Sequence, residues 1–245
     1  MKKTLIIGAT SGIAQALADQ LAQSGATLFL AARSEPRLQL IARDLELRHN
    51  ATVHTATLDF DDFSLYAPFI DTAIQQLGGL DLAIICHGAL PDQQACQLDP
   101  LLAEASLRVN YLSPVAFLTH LALRFEQRSS GCIVAISSVA GDRGRASNYI
   151  YGAAKAALTA YLAGLRNRLQ PAGVRVITVK PGFVDTPMIA HFKPSPLTAS
   201  PQAVARDILR AAARGNGNLY TPWFWRWIML VIRLIPERLF IRLKL

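Results

Sequence analysis

Short apolar runs alternate with longer amphipathic or alanine-rich segments from one end of this chain to the other. No other feature restricts the fold as much. The runs are Leu5–Ile7, Leu28–Ala31, Thr52–Leu58, Leu82–Ile85, Cys132–Ser137, Val174–Val179 and Asn218–Thr221. Between them lie Ala14–Gln23, Pro36–Arg48, Tyr66–Leu77, Pro100–Phe125, Ile150–Gln170 and Pro201–Ala213, which have helical spacing and composition. Apolar runs of this length are strands covered on both faces, and strands joined through helices build a parallel sheet with helices on either side. The expected fold class is therefore α/β, a doubly wound parallel sheet of about seven strands. No repeat or linker divides residues 1–221, read as one domain with a loop over 187–200; residues 222–245 form a C-terminal extension. Ligands of such sheets bind outside the carboxyl ends of the strands, where Gly8, Arg33, Gly88, Ser138 and Pro181 all fall.

The first run leads into Gly8-Ala9-Thr10-Ser11-Gly12-Ile13-Ala14. Gly8 opens a tight turn, and Gly12 lets backbone approach a pyrophosphate at the start of a helix. Free N–H groups and the helix dipole favour anions there, with Thr10, Ser11 and Ile13 completing the cradle. The spacing Gly-x-x-x-Gly-x-Ala differs from the commoner Gly-x-Gly-x-x-Gly, and no Gly-Lys-Ser/Thr follows, so a nucleoside-triphosphate loop is excluded. The second strand ends Ala31-Ala32-Arg33-Ser34, without an acid to accept the ribose hydroxyls of NAD. Arg33 can instead bind the 2′-phosphate of NADP, so NADP(H) is the expected cofactor in preference to NAD(H).

Farther on stand Ser138, at the end of the fifth run, and Tyr151 and Lys155, one helical turn apart. A free phenol has a pKa near 10, and a neighbouring ammonium is expected to lower it, making Tyr151 a usable proton donor to a carbonyl that receives hydride. Ser138 would hydrogen-bond the same carbonyl oxygen.

Taken together, these segments resemble the short-chain dehydrogenase/reductase family, whose fold is of the Rossmann type. The resemblance extends through Gly88 in Ile85-Cys86-His87-Gly88, Asn110 in Arg108-Val109-Asn110-Tyr111, and Pro181-Gly182-Phe183-Val184-Asp185-Thr186. It implies a catalytic set of Asn110, Ser138, Tyr151 and Lys155, in which Asn110 holds a water linking the lysine to solvent. It also implies that Lys155 contacts the nicotinamide ribose, Thr186 the carboxamide and Asp59 the adenine amino group, with Gly88, Pro181, Gly182 and Val184 along the cofactor. Ala14 stands for a third glycine, and Cys86-His87 for the usual Asn-Ala.

The composition, 51% apolar, excludes a disordered chain, and the three cysteines and five histidines show neither disulfide nor metal spacing. A reducing cytoplasm and no metal are expected, with His87 packed near the cofactor. The net charge of +8 could suggest nucleic acid. Half of it, however, sits in Trp223–Leu245, where Arg226, Arg233, Arg238, Arg242 and Lys244 face Glu237 alone among tryptophans and aliphatics. That mixture suits an anionic membrane surface rather than nucleic acid, and Arg226 and Arg233 bracket an apolar stretch far short of the roughly 20 residues a span needs. Pro236 should divide the tail into two short helices.

The tail and the loops at Gly88–Asp92, Gly141–Arg145 and Met188–Thr198 resemble a narrower group, the reductase partners of decaprenylphosphoryl-ribose 2′-epimerase systems. The resemblance implies reduction of a polyprenyl-phosphate-linked keto sugar, with Arg143, Arg145 and Lys193 expected to grip the phosphate, at the inner face of a membrane. A soluble reductase of another carbonyl, such as a 3-oxoacyl thioester or a steroid-like ketone, and a non-catalytic nucleotide-binding scaffold are the alternatives. A homo-oligomer is expected.

Overall fold

The computed structural model describes residues 2–189, 195–215 and 217–243 of the chain. Seven strands, β1 (Lys3–Ile7), β2 (Thr27–Ala32), β3 (Val53–Thr57), β4 (Leu82–Ile85), β5 (Cys132–Ile136), β6 (Arg175–Pro181) and β7 (Asn218–Thr221), form one sheet. The order is β3-β2-β1-β4-β5-β6-β7, parallel throughout. Every apolar run expected as a strand is one.

Because side chains alternate across a strand, Ile6, Leu28, Leu30, Ile84, Val134 and Val179 face one layer and Leu5, Ile7, Phe29, Ala83 and Ile133 the other. The first layer is closed by α1 (Gly12–Gln23), α2 (Glu35–His49) and α8 (Pro201–Arg214). The second is closed by α3 (Tyr66–Leu77), α6 (Ser113–Arg128) and α7 (Tyr149–Leu169). Ser11 caps α1 by accepting from Ala14 N, and Gly8 turns at φ +80°, where a Cβ would lie 2.6 Å from the His87 nitrogen.

The segment Pro100–Phe125, expected as one helix, is interrupted. α4 (Gln93–Leu98) precedes α5 (Pro100–Leu107), and a π-turn over Arg108–Leu112 separates α5 from α6. Asn110 sits at the middle of that turn, fully buried. Such single π-turns recur where a helix must present a group at a functional site.

The tail folds as two short helices, α9 (Trp225–Leu234) and α10 (Glu237–Phe240), with Pro236 between them as expected. Trp225, Met229 and Phe240 are buried, and Trp225 packs with Val139 and Phe183. A Cβ on Gly182 would fall about 2 Å from the indole, so only glycine admits this contact.

Arg143 locks the far end of the tail. Its guanidinium donates to the carbonyl oxygens of Ile232 (2.5 Å) and Ile235 (2.6 Å), pairs with Glu237 (2.8 Å) and lies 3.7 Å over the Phe240 ring. The expectation that Arg143 grips a substrate phosphate is corrected here: these bonds occupy the guanidinium and stop the C-terminal end of α9. Arg143→Ala should destabilise the docked tail by about 1–3 kcal/mol, the cost of stranding buried acceptors. Trypsin should then cleave after Arg226 and Arg233 faster than in the parent, and an unchanged cleavage rate would contradict this role.

Candidate active site

The carboxyl ends of β1, β2, β4, β5 and β6 open into one cleft of about 420 Å3. Gly8, Thr10, Ser11, Gly12, Ile13, Arg33, Gly88, Ser138, Tyr151, Lys155, Pro181, Gly182, Val184 and Thr186 all line it. Asp59, beyond β3, is exposed beside the lining residue Phe60, its carboxylate accepting from Asp61 N (2.9 Å). Lys193 lies outside the described residues.

Ser137 and Ser138 take different roles. Ser137 is buried, donating to the Lys155 carbonyl oxygen (2.9 Å) and hydrogen-bonded to Thr159 (2.7 Å), which ties the end of β5 to α7. Ser138 accepts from Ala140 N (3.1 Å) and interacts with the Tyr151 hydroxyl. Lys155 is almost fully buried, donates to the Ile136 carbonyl oxygen (3.0 Å) and lies 5.7 Å from the Tyr151 ring centre.

Burial sets the electrostatics of this pair. It pushes the Tyr151 phenol up to about 12, against the lowering effect of Ser138, and pulls Lys155 down to about 8. The expected lowering of the phenol pKa by the ammonium is thus overturned for the cleft as it stands, because desolvation disfavours both charged forms. The consequence for pH is directional. Lys155 loses its charge as pH rises through about 8, so kcat/KM for ketone reduction should fall above that pH. Between about 8 and the ordinary lysine value of 10.5 the unfolded chain holds a proton that the folded chain does not, so stability should rise with pH in the same window. Activity and denaturation midpoint should therefore move in opposite directions, and a flat activity profile to pH 9 would count against this.

The carboxamide of Asn110 is fully engaged. Its oxygen accepts from Ala89 N (3.1 Å), and its nitrogen donates to the carbonyl oxygens of Ala89 (2.8 Å) and Ser106 (3.0 Å). Asn110 therefore pins the chain after Gly88 to the π-turn.

His87, standing where the resemblance has alanine, ties the end of β4 to its surroundings. It stacks on Phe60 (4.7 Å) and hydrogen-bonds Ser113 (2.9 Å), which bonds Tyr66 (2.7 Å), whose hydroxyl donates to the Phe60 carbonyl oxygen (2.8 Å). Burial pulls the His87 pKa down to about 3, so the ring is neutral, and burial pushes the Cys86 thiol up to about 12. Among the described residues no cluster of His, Cys, Asp and Glu could hold a metal.

Arg37 and Ser34 are among the cleft residues that were not read from sequence. Arg37, in the first turn of α2 and reaching the Thr10 carbonyl oxygen at 3.5 Å, places a second cation at the same end. The available signal was a second arginine four residues after Arg33, just inside the next helix. Ser34, between strand and helix, makes no cap bond, leaving its hydroxyl beside both arginines.

These residues fit a dinucleotide. Gly12 brings an anion-binding helix N-terminus to the cleft floor, Arg33 and Arg37 stand at one end, and Tyr151 and Lys155 at the other. A nicotinamide cofactor bound here supplies the hydride. With such a cofactor bound, Tyr151, still protonated at neutral pH, would be placed to donate the proton that an alkoxide requires, and Ser138 to orient the carbonyl oxygen. Lys155, charged below about pH 8, would then favour the phenolate left behind.

Fold and cleft together define an NAD(P)-dependent oxidoreductase, and comparison with known proteins agrees. The family model described as short chain dehydrogenase matches residues 2–196, and the chain belongs to the short-chain dehydrogenase/reductase family. A Mycobacterium tuberculosis protein described as an uncharacterised oxidoreductase is 36% identical over 233 residues, 95% of this chain and 93% of the relative. A Streptomyces coelicolor protein of the same description is 33% identical over 243 residues, 99% and 96% of the two chains. The crystal structure of a short chain dehydrogenase from Burkholderia cenocepacia in complex with NADP superposes with a TM-score of 0.83 at 22% identity, covering 100% of both chains. That of actinorhodin polyketide ketoreductase with NADPH gives 0.80 at 22%, covering 90% of this chain and 95% of the other. At that identity the two structures speak for the fold.

Proposed function

We propose that this protein uses NADPH to reduce a ketone carried on a polyprenyl-phosphate-linked sugar, working at an anionic membrane surface. Arg33 and Arg37, with no acid at the end of β2, support the choice of NADPH. The loop and tail resemblance to the reductase partners of decaprenylphosphoryl-ribose 2′-epimerase systems supports the substrate.

The observation that carries the membrane reading is the outer face of the docked tail. Trp223, Trp227, Leu230, Val231 and Leu234 recur at helical spacing and stand exposed, Trp223 and Leu234 each by 72%. Arg226, Arg233, Arg238 and Arg242 are exposed among them. An apolar stripe edged by arginines binds the headgroup boundary of anionic lipid. No helix among the described residues is long and apolar enough to cross a membrane. The inner face of the same helix packs beside Gly182 and Val139, so lipid held outside would lie close to the cleft. The catalytic domain would then stand on the inner, cytoplasmic side of the membrane. A homo-oligomer is part of the proposal, with exposed Leu98, Leu101 and Leu102 on α4 and α5 available for its contact.

Two measurements test this reading. The protein should co-sediment with phosphatidylglycerol vesicles and far less with phosphatidylcholine, and Trp227→Asp with Val231→Asp should abolish the binding. NADPH oxidation should be faster with a prenyl-phosphate keto sugar than with a 3-oxoacyl thioester. Absence of vesicle binding sinks the membrane part, and preference for the thioester sinks the sugar part.

A further inference from the structure

A second cluster of polar groups stands at the N-terminus of α7, one turn before Tyr151. Gln93 opens α4, just after the stretch that leaves the cleft wall at Gly88 and Ala89. It is only 9% exposed, and its side-chain oxygen accepts from Ile150 N (3.1 Å). That bond joins the start of α4 to the start of α7. The other atom of the amide, Nε2, is buried with no hydrogen-bond partner.

Arg145 lies on the loop between β5 and α7, and its carbonyl oxygen accepts from Asn148 N (3.1 Å). Its Nε is also buried without a partner. No carboxylate pairs with it among the described residues, because Asp142, the nearest acid by its electrostatic effect, is committed elsewhere. One Asp142 oxygen takes Lys180 Nζ (2.5 Å) and the other the Tyr220 hydroxyl (2.7 Å). Burial depresses the pKa of Arg145, with the Asp142 charge opposing the shift.

Asn148 precedes the first turn of α7, the position where a side-chain oxygen ordinarily caps the helix. It makes no cap bond, and its Oδ1 is buried and unpaired. Three side chains near the start of α7 thus leave two donors and one acceptor unsatisfied, each at a cost to the folded state. Native interiors keep few such groups, and the cost is recovered when a ligand supplies the missing partners. Two donors, one of them cationic, with one acceptor match neighbouring hydroxyls and an anionic oxygen, and a plain aliphatic ketone has nothing to offer them.

We propose that Gln93, Arg145 and Asn148 form the subsite that recognises the oxygen-rich, negatively charged head of the substrate, the chemistry of a sugar phosphate ester. The inference rests on the keto-sugar reading above and narrows it. Arg145 alone, of the cations expected to meet the phosphate, is both described and free of the tail.

The test compares two soluble ketones: a tetrahydrofuran-3-one bearing hydroxyls and a methyl phosphodiester, and unsubstituted tetrahydrofuran-3-one. Gln93→Glu keeps the oxygen that caps Ile150 but removes the Nε2 donor, and Arg145→Gln removes the charge. Each should raise KM for the phosphodiester about 10- to 100-fold, the worth of a hydrogen bond to a charged group. kcat, NADPH affinity and KM for the plain ketone should stay near wild type. A purely structural role would move KM for both ketones together, or the NADPH affinity, and either result overturns the subsite. Unchanged KM for the phosphodiester overturns it as well. If the wild type reduces the plain ketone and not the phosphodiester, the keto-sugar reading itself fails. If it reduces both and the variants do not discriminate, only the subsite fails.

Discussion

Tyr151→Phe should lower turnover of any ketone substrate by a factor of about 10²–10⁴, the usual contribution of a general acid. NADPH affinity should stay close to wild type. The phenyl ring keeps the packing of the cleft wall and loses only the hydroxyl that interacts with Ser138. Because burial holds that proton up to about 12, the parent enzyme carries it across the neutral range. Lys155, a titratable donor in the same cleft, has its Nζ directed to the Ile136 carbonyl oxygen. The experiment is NADPH oxidation at saturating cofactor with a fluorescence titration of NADPH alongside. Turnover within a few-fold of the parent would remove Tyr151 from the proton-donor role.

Arg33→Asp should shift the ratio of NADPH to NADH affinity toward NADH by about 10² or more. A charge-assisted hydrogen bond is worth about 1.5–3 kcal/mol, and each 1.4 kcal/mol is a factor of ten. The substitution also sets a carboxylate against the 2′-phosphate and offers an acceptor to ribose hydroxyls. Arg37 stands at the same end of the cleft, so Arg37→Ala alone should give a smaller shift in the same direction. Direct titrations of both nucleotides decide the matter. A parent that already binds NADH more tightly would show Arg33 to be an ordinary exposed side chain.

Much of the fold was legible because it depends on local pattern. Runs such as Leu82–Ile85 and Cys132–Ile136 are apolar on both sides because helices cover both sheet faces, and their alternation with helical segments leaves one economical topology. Tyr66–Leu77 agrees to the residue, since Gly78 in the left-handed conformation ends the helix where the apolar spacing ends. Tyr151 and Lys155 could be paired from spacing alone, as one turn of helix sets their distance.

The features that were not legible depend on partners far away in sequence. The π-turn around Asn110 has no local composition signal, and it exists where that carboxamide can reach Ala89 and Ser106. His87 reads as an isolated histidine until folding brings Ser113, Tyr66 and Phe60 against it. Arg143 and Arg145, two residues apart, look interchangeable in the sequence. Folding separates them: the tail, some 90 residues later, takes Arg143 and leaves the Arg145 Nε buried without a partner. The tail reads as a possible membrane arm, and only tertiary packing shows that one face is docked on Gly182 while the other stays open.

The sequence by itself therefore determined the parallel sheet, the glycine turn at its centre and the Ser138, Tyr151, Lys155 set, because periodicity and short spacings are properties of neighbouring residues. Tertiary structure alone decided which charges are free, which side chains are desolvated and in which direction their protons are held. Those properties follow from burial and from contacts that the order of residues along the chain does not contain.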